Sequence, residues 1–209
     1  MMPLLPLKGP SSAVAAMSRR REPPRGTTST ERAEGLAEQY PSAVLAGRRS
    51  VRHFSGRAVP VEELARVLAT AHAAQHRQWP AADHGDPGLA LVVAAHQVDE
   101  LSSALQLWRP ETAAFDSCGT PKWLWRMPAW YAAAPALILI CGSIGRTDGI
   151  SYSQLLVQAG ALGHEIWLAA RSRGLECSVY GQAVHELSDV LTPGSRHLFT
   201  VALGYAVEG

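Results

Sequence analysis

The strongest periodic pattern in the chain lies in residues 149–182, GISYSQLLVQAGALGHEIWLAARSRGLECSVYGQ. Leu155, Ala159, Leu162, Ile166 and Ala170 recur at three- and four-residue spacing, and Leu156, Gly163 and Trp167 add a second apolar row beside them. Two adjacent rows predict a helix over 153–173 that is covered on most of its circumference. Ser151 or Ser153 can cap its start, Arg171 and Arg173 suit the negative end of its dipole, and Gly174 is the expected stop. The small residues Ala159, Gly160, Ala161 and Gly163 leave room for a flat ring or another backbone. Upstream, helical signals run from about Ala37 to Gly47. A second helix opens at Pro60 with Glu62 and Glu63, its buried stripe being Leu64, Val67, Leu68 and Ala71. Residues 75–88, polar and broken by Pro and Gly, predict a loop. Apolar runs at 89–96, 135–141, 175–180 and 198–205 predict buried strands, 104–115 two short strands around an Arg-Pro-Glu-Thr turn, and 184–191 a short helix. Helices and strands alternating in this way predict an α+β fold: a central mixed sheet in a three-layer arrangement with helices on both faces.

Composition changes this picture at the N-terminus. Residues 1–36 are rich in Pro, Ser, Thr, Gly and Arg, with Arg19, Arg20 and Arg21 in a row. Such a segment cannot bury enough apolar surface to offset its ordering entropy, so it reads as a disordered basic arm before a single domain at 37–209. The 209 residues are 47% hydrophobic with a net charge of +1, a globular composition that argues against a global electrostatic role with nucleic acid. No apolar run reaches the ~18 residues of a membrane span. The apolar MMPLLPL is too short and poorly flanked for a signal peptide. Cys118, Cys141 and Cys177, odd in number and widely spaced, suggest neither a disulfide framework nor a zinc site, and the expected location is cytoplasmic.

Four groups of residues can carry chemistry. Arg48, Arg49, Ser50 and Arg52 place three guanidiniums and a hydroxyl within five residues, enough to surround one phosphate; the competing reading is a solvated basic patch. Residues 117–135 hold Trp123, Trp125 and Trp130, three of the six tryptophans, together with Tyr131. They can stack on a heteroaromatic ring or form a core or interface cluster. His72, His76 and His84 lack a matched carboxylate spacing, so no metal is expected, and His164 reads as a core or interface histidine. Ser50 and Ser178 have no nearby His/Asp arrangement of the kind a hydrolase needs.

GRRSVRHF, then the PVEELARVL helix, a buried strand, the AGALGHEIWLAARSRGL helix and the closing VALGY strand resemble, in order and spacing, the flavin-dependent nitroreductase superfamily over about residues 37–207. That resemblance implies an intertwined dimer, homodimeric or paired with a similar subunit, with FMN at the interface. Arg48, Arg49, Ser50 and Arg52 would take the phosphate and ribityl chain. Ser178, Val179, Tyr180 and Gly181 would pass along the isoalloxazine, one amide bonding N5. ALQLWRPETAAF resembles the hairpin of azoline dehydrogenases, which aromatise thiazoline or oxazoline rings on peptides. That branch carries an adjacent Lys-Tyr pair for proton transfer, which is not reproduced here, since Lys122 is followed by Trp123. Lys122, with its pKa lowered by Trp123 and Trp125, would abstract the ring proton, and the nearby Tyr131 is the second catalytic candidate. The competing reading of Lys122 is an ordinary surface lysine. The expected function is FMN-dependent dehydrogenation of an azoline or cyclic dipeptide in natural-product biosynthesis. A generic NAD(P)H-dependent nitro or quinone reductase and a flavin-free scaffold subunit are the alternatives. Two departures from the family pattern bear on the last of these. The loop that helps hold flavin is reduced to His76-Arg77-Gln78-Trp79-Pro80, and the basic residues that often follow the closing strand are absent. The partner is a small molecule or a peptide, with neither nucleic acid nor membrane involved.

Overall fold

The computed structural model of the protein describes residues 42–143, 152–191 and 194–207. The expectations for the N-terminal arm, for a helix start at 37–41 and for a Ser151 cap lie outside the described residues. Within them the elements are α1 (Ser42–Ala46), β1 (Val59–Pro60), α2 (Val61–Gln78), α3 (Ala81–His84), β2 (Ala90–Ala95), β3 (Val98–Asp99), β4 (Leu105–Arg109) and β5 (Ala114–Gly119). A 3-10 turn at Leu124–Arg126 leads into α4 (Met127–Trp130), then β6 (Ala136–Ser143), α5 (Tyr152–Arg171), β7 (Glu176–Tyr180), a second 3-10 turn at His185–Asp189 and β8 (Ser195–Gly204).

Eight consecutive residues of β6 are buried, so this strand has no solvent face. It sits inside a six-stranded sheet of order β5-β4-β2-β6-β8-β7. Its side chains alternate between two cores. Ala136, Ile138 and Ile140 face the first core together with Leu91 and Val93 of β2, Leu64, Val67 and Leu68 of α2, and Leu162, Ile166 and Trp167 of α5. Leu137, Leu139 and Cys141 face the second, whose lid is Leu124, Met127, Tyr131 and Ala132 with Val184 and Leu187. Both long helices therefore share one face, and short helical segments cover the other. Each fully buried Leu or Ile contributes roughly 1.5–3 kcal/mol, which makes this double-sided strand the main anchor of the fold.

The α+β class and the helix-covered sheet agree with the sequence. The pairing differs from the mixed sheet expected: every ladder of the six-stranded sheet is antiparallel, and parallel pairing is confined to the two-residue β1–β3 pair. The cause is burial. β2 and β6 are covered on both faces, which gives unbroken apolar runs of the kind parallel strands show, although the connections here are antiparallel.

Two local differences bear on function. Residues 75–78, expected as loop, complete α2, because Gln75 is buried and donates through Nε2 to Gln158 Oε1 of α5 at 3.2 Å. Leu156, expected in the buried second row of α5, is 42% exposed, next to Tyr152 at 40% and Val157 at 53%. The N-terminal half of α5 thus shows an apolar stripe to solvent while its C-terminal half is enclosed. Gly174 takes φ of 73° as the helix stop requires. Arg173 reaches back to Glu63 at 3.1 Å and ties the end of α5 to the start of α2.

Candidate functional site: a cationic arm beside a free strand edge

Residues 47–57 have little regular structure of their own, and their course is set by backbone bonds to two strands. Gly47 N–H closes α1 on Ala43 O at 3.0 Å. Val51 N–H donates to Cys177 O of β7 at 3.0 Å, and Ser55 N–H to Tyr205 O, just past β8, at 2.8 Å. A bridge pairs Phe54 with Ala206. The arm is therefore laid across the β7–β8 edge, with Arg48, Arg49, Ser50 and Arg52 all exposed. Among the described residues none of these three arginines is in an ion pair, whereas Arg66, Arg109, Arg171 and Arg173 each have an acidic partner. Three unneutralised guanidiniums on one short arm make a positive site open to an anion.

The Val51–Cys177 bond also sorts the residues of β7. A strand residue points its N–H and C=O to the same side, and the side alternates along the strand. Since Cys177 O faces outward to the arm, the main-chain groups of Val179 face that free edge too, and Gly181 follows just past the end of the strand. Those of Ser178 and Tyr180 turn towards β8, where Ser178 is paired with Ala202 and Tyr180 with Thr200. Of the four residues expected along a flavin, Val179 thus offers an outward amide from the strand. Val179 is 40% exposed, and a Cβ built on Gly181 meets nothing within 4 Å, so a flat group can approach there. The Ser178 and Tyr180 hydroxyls are buried and unpartnered among the described residues.

Beyond Gly181 the chain is held by a polar clip that sequence reading missed. Val184 N–H donates to His197 Nδ1 at 2.8 Å, which places the proton of the neutral ring on Nε2. Nε2–H then donates to Thr200 Oγ1 at 3.0 Å, and the Tyr131 hydroxyl donates to Gln182 O at 2.8 Å. The clip fastens both sides of residues 182–184 to β8 and to the end of α4. Burial away from water pushes His197 down to about 4 and raises the Tyr131 phenol above its ordinary value. The sequence signal was the presence of His197 and Thr200 beside and within the apolar run of β8.

Tyr131 is 8% exposed, packs edge-on against Tyr180 at 5.6 Å and already donates its proton to a carbonyl. In this setting its hydroxyl holds the chain at Gln182 in place. Lys122 is exposed, so the apolar enclosure expected from Trp123 and Trp125 is not formed around it. Trp125 is 58% exposed, near His96 at 6.2 Å, whereas Trp123 and Trp130 pack against the second core. The aromatic segment is mostly a core lid with one tryptophan left outside.

His72 and His76 stack at 4.0 Å, and His84 lies edge-on to Trp79 at 5.0 Å. No group of three or more His, Cys, Asp or Glu able to hold a metal occurs among the described residues. His164, read as a core or interface histidine, is exposed on the outer side of α5, which removes the core half of that reading. Burial pushes the Cys141 and Cys177 thiols up, so neither is a ready nucleophile. Among the described residues no helix is long and apolar enough to cross a membrane.

A sequence model described as the Nitroreductase family matches residues 45–186, the span from the end of α1 through β7. No curated protein sequence matches the chain. Among solved structures, it is similar to a protein assigned as a nitroreductase from Anabaena variabilis, at 19% identity and a TM-score of 0.67, covering 83% of this chain and 39% of that one. It is similar to another so assigned from Ralstonia eutropha, at 18% identity and 0.64, covering 80% and 83%. A chain of the E. coli microcin synthetase McbBCD complex with truncated pro-MccB17 bound is similar over 98% of this chain and 85% of its own, at 10% identity and 0.58. At these identities the likeness is one of fold.

Proposed function

This chain belongs to the nitroreductase family, and on that premise we propose that it is an FMN-dependent oxidoreductase that dehydrogenates a peptide-derived substrate, an azoline ring or a cyclic dipeptide. The observation that carries the reading is the juxtaposition of Ser50 and three arginines that have no acidic partner among the described residues with the free edge of β7. The residues present fit FMN. Arg48, Arg49 and Arg52 match its dianionic phosphate, Ser50 its ribityl hydroxyls, and the outward amide of Val179, with the open backbone at Gly181, a ring nitrogen or carbonyl. When bound, FMN supplies a two-electron acceptor at N5. The protein's own contributions are to neutralise the phosphate, to hold the 182–184 backbone through the Tyr131 and His197 bonds, and to leave space over Gly181. Lys122 is the candidate base for the substrate proton. An acceptor such as dioxygen or a nicotinamide must then take the electrons onward.

The apolar stripe of Tyr152, Leu156 and Val157 supports a dimer, with a second copy or a similar subunit covering α5. The likeness to a chain of a synthetase complex turns the substrate reading from nitro or quinone compounds towards biosynthesis. One observation favours a second reading, a flavin-free scaffold subunit: His76, Arg77 and Gln78 of the reduced flavin loop are taken up into the end of α2, next to the Gln75–Gln158 bond. The test is anaerobic mixing of the FMN-loaded protein with azoline peptide. Bleaching of the oxidised flavin band by the peptide alone supports the dehydrogenase. Bleaching only by NAD(P)H means a reductase, and a protein that takes up no FMN means a scaffold.

A further inference from the structure

The last turn of α5 touches the cationic arm at two points. Arg48 Cζ lies 4.6 Å over the centroid of the Trp167 ring. One turn on, Arg171 Nη1 bonds both carboxylate oxygens of Glu176 at 2.7 Å, and its guanidinium packs against Gly47, where a Cβ would come within 2.7 Å of Nη2. Trp167 and Arg171 stand four residues apart and so share a helix face. Trp167 is 6% exposed and belongs to the first core, so its ring is a fixed platform. Arg171 is charge-neutralised by Glu176, whereas Arg48 has no acidic partner among the described residues.

A guanidinium on an aromatic face keeps its in-plane N–H groups free, and the stack removes rotamer freedom that would otherwise be lost on binding an anion. We infer that Trp167 is a positioning residue that presents the Arg48 guanidinium edge to the flavin phosphate and thereby sets a preference for phosphorylated over unphosphorylated flavin. This rests on the FMN reading above and goes beyond it by assigning the selectivity to a side chain that touches no flavin.

The experiment titrates the full chain with FMN and with riboflavin, following the quenching of flavin fluorescence, and compares the ratio of the two dissociation constants. Trp167→Leu is expected to lower the selectivity for FMN about three- to tenfold, leaving riboflavin binding near wild type. Trp167→Phe, which keeps a ring face, recovers most of it. In an Arg48→Ala background Trp167→Leu adds nothing further, since the pair acts as one unit. Arg48→Lys, which leaves the core untouched, lowers the selectivity too, and serves if Trp167→Leu does not fold. An unchanged FMN-to-riboflavin ratio in a folded Trp167→Leu or Arg48→Lys overturns this inference alone. A wild-type chain that binds neither flavin overturns the FMN reading and this inference with it.

Discussion

Gly163 offers a quantitative check on how α5 sits against the sheet. It lies mid-helix, where glycine costs about 1 kcal/mol relative to alanine, so replacement by alanine would stabilise an isolated helix. In the fold a Cβ at this position stands 2.6 Å from both Cε2 and Cζ of Phe199 on β8, and 3.4 Å from Ile140 Cδ1. Carbon pairs are most favourable at about 3.5–4.0 Å, so the overlap is near ~1 Å. Rotation about χ2 gives no relief at Cζ, which lies on the rotation axis; the ring must swing at χ1 or the helix must shift. Overpacking of this kind costs typically about 1–3 kcal/mol. Set against the propensity gain, Gly163→Ala is expected to destabilise the protein by about 0–2 kcal/mol. At this chain length that lowers Tm by up to roughly 8 °C. The assay is a double-mutant cycle with Phe199→Leu by urea or thermal unfolding. In the Phe199→Leu background, where the ring is gone, Gly163→Ala should turn neutral or stabilising by up to about 1 kcal/mol. An alanine that stabilises the wild-type background refutes the helix–strand contact described here.

His197 makes stability depend on pH. Its folded value of about 4 lies below the ordinary imidazole value of about 6.5, so the unfolded chain takes up the proton first on acidification. Stability from this group is present in full above pH ~6.5, falls as pH drops, and is lost by pH ~4, a total of roughly 3 kcal/mol. Denaturant midpoints measured from pH ~7 to ~4 should show that slope, and His197→Gln should flatten it; the same slope in the variant counts against the clip. Tyr131→Phe and Lys122→Ala separate positioning from proton transfer. Tyr131→Phe is expected to cost about 1–2 kcal/mol of stability through the orphaned Gln182 carbonyl while keeping measurable turnover. Lys122→Ala is expected to leave stability unchanged and lower turnover about 10²-fold or more if it is the base. Wild-type turnover in Lys122→Ala removes it from the mechanism.

The parts legible in the sequence are those fixed by local periodicity. α5 runs from Tyr152 to Arg171 where its apolar rows predicted 153–173, and Leu64, Val67, Leu68 and Ala71 are the buried stripe of α2 as expected. Gly163 does admit a flat ring, that of Phe199. Leu156 was misplaced because an apolar row reads the same whether the cover is the chain's own core or solvent awaiting a partner. Residues 75–78 were misread because the inward turn of Gln75 depends on Gln158, remote in sequence. Strand direction was lost for a similar reason: full burial of β2 and β6 erases the alternation that marks an antiparallel strand. The Arg48–Arg52 motif was visible as a cluster. Its setting on the β7 edge, the Trp167 platform under Arg48 and the clip behind Gly181 are tertiary contacts with no local spacing to betray them.

The central claim is that the arginine arm and the β7 edge hold FMN, and an FMN titration of the purified full chain tests it most directly. The absorption spectrum is read for flavin bands near ~370 and ~450 nm in protein freed of unbound flavin. The account predicts near-stoichiometric flavin on the wild-type chain. It also predicts loss of most of that flavin in folded Arg48→Ala and Arg52→Ala, with binding that weakens as salt is raised. A folded wild-type chain that retains no flavin at saturating FMN, or alanine variants that retain as much as the wild type, would contradict it.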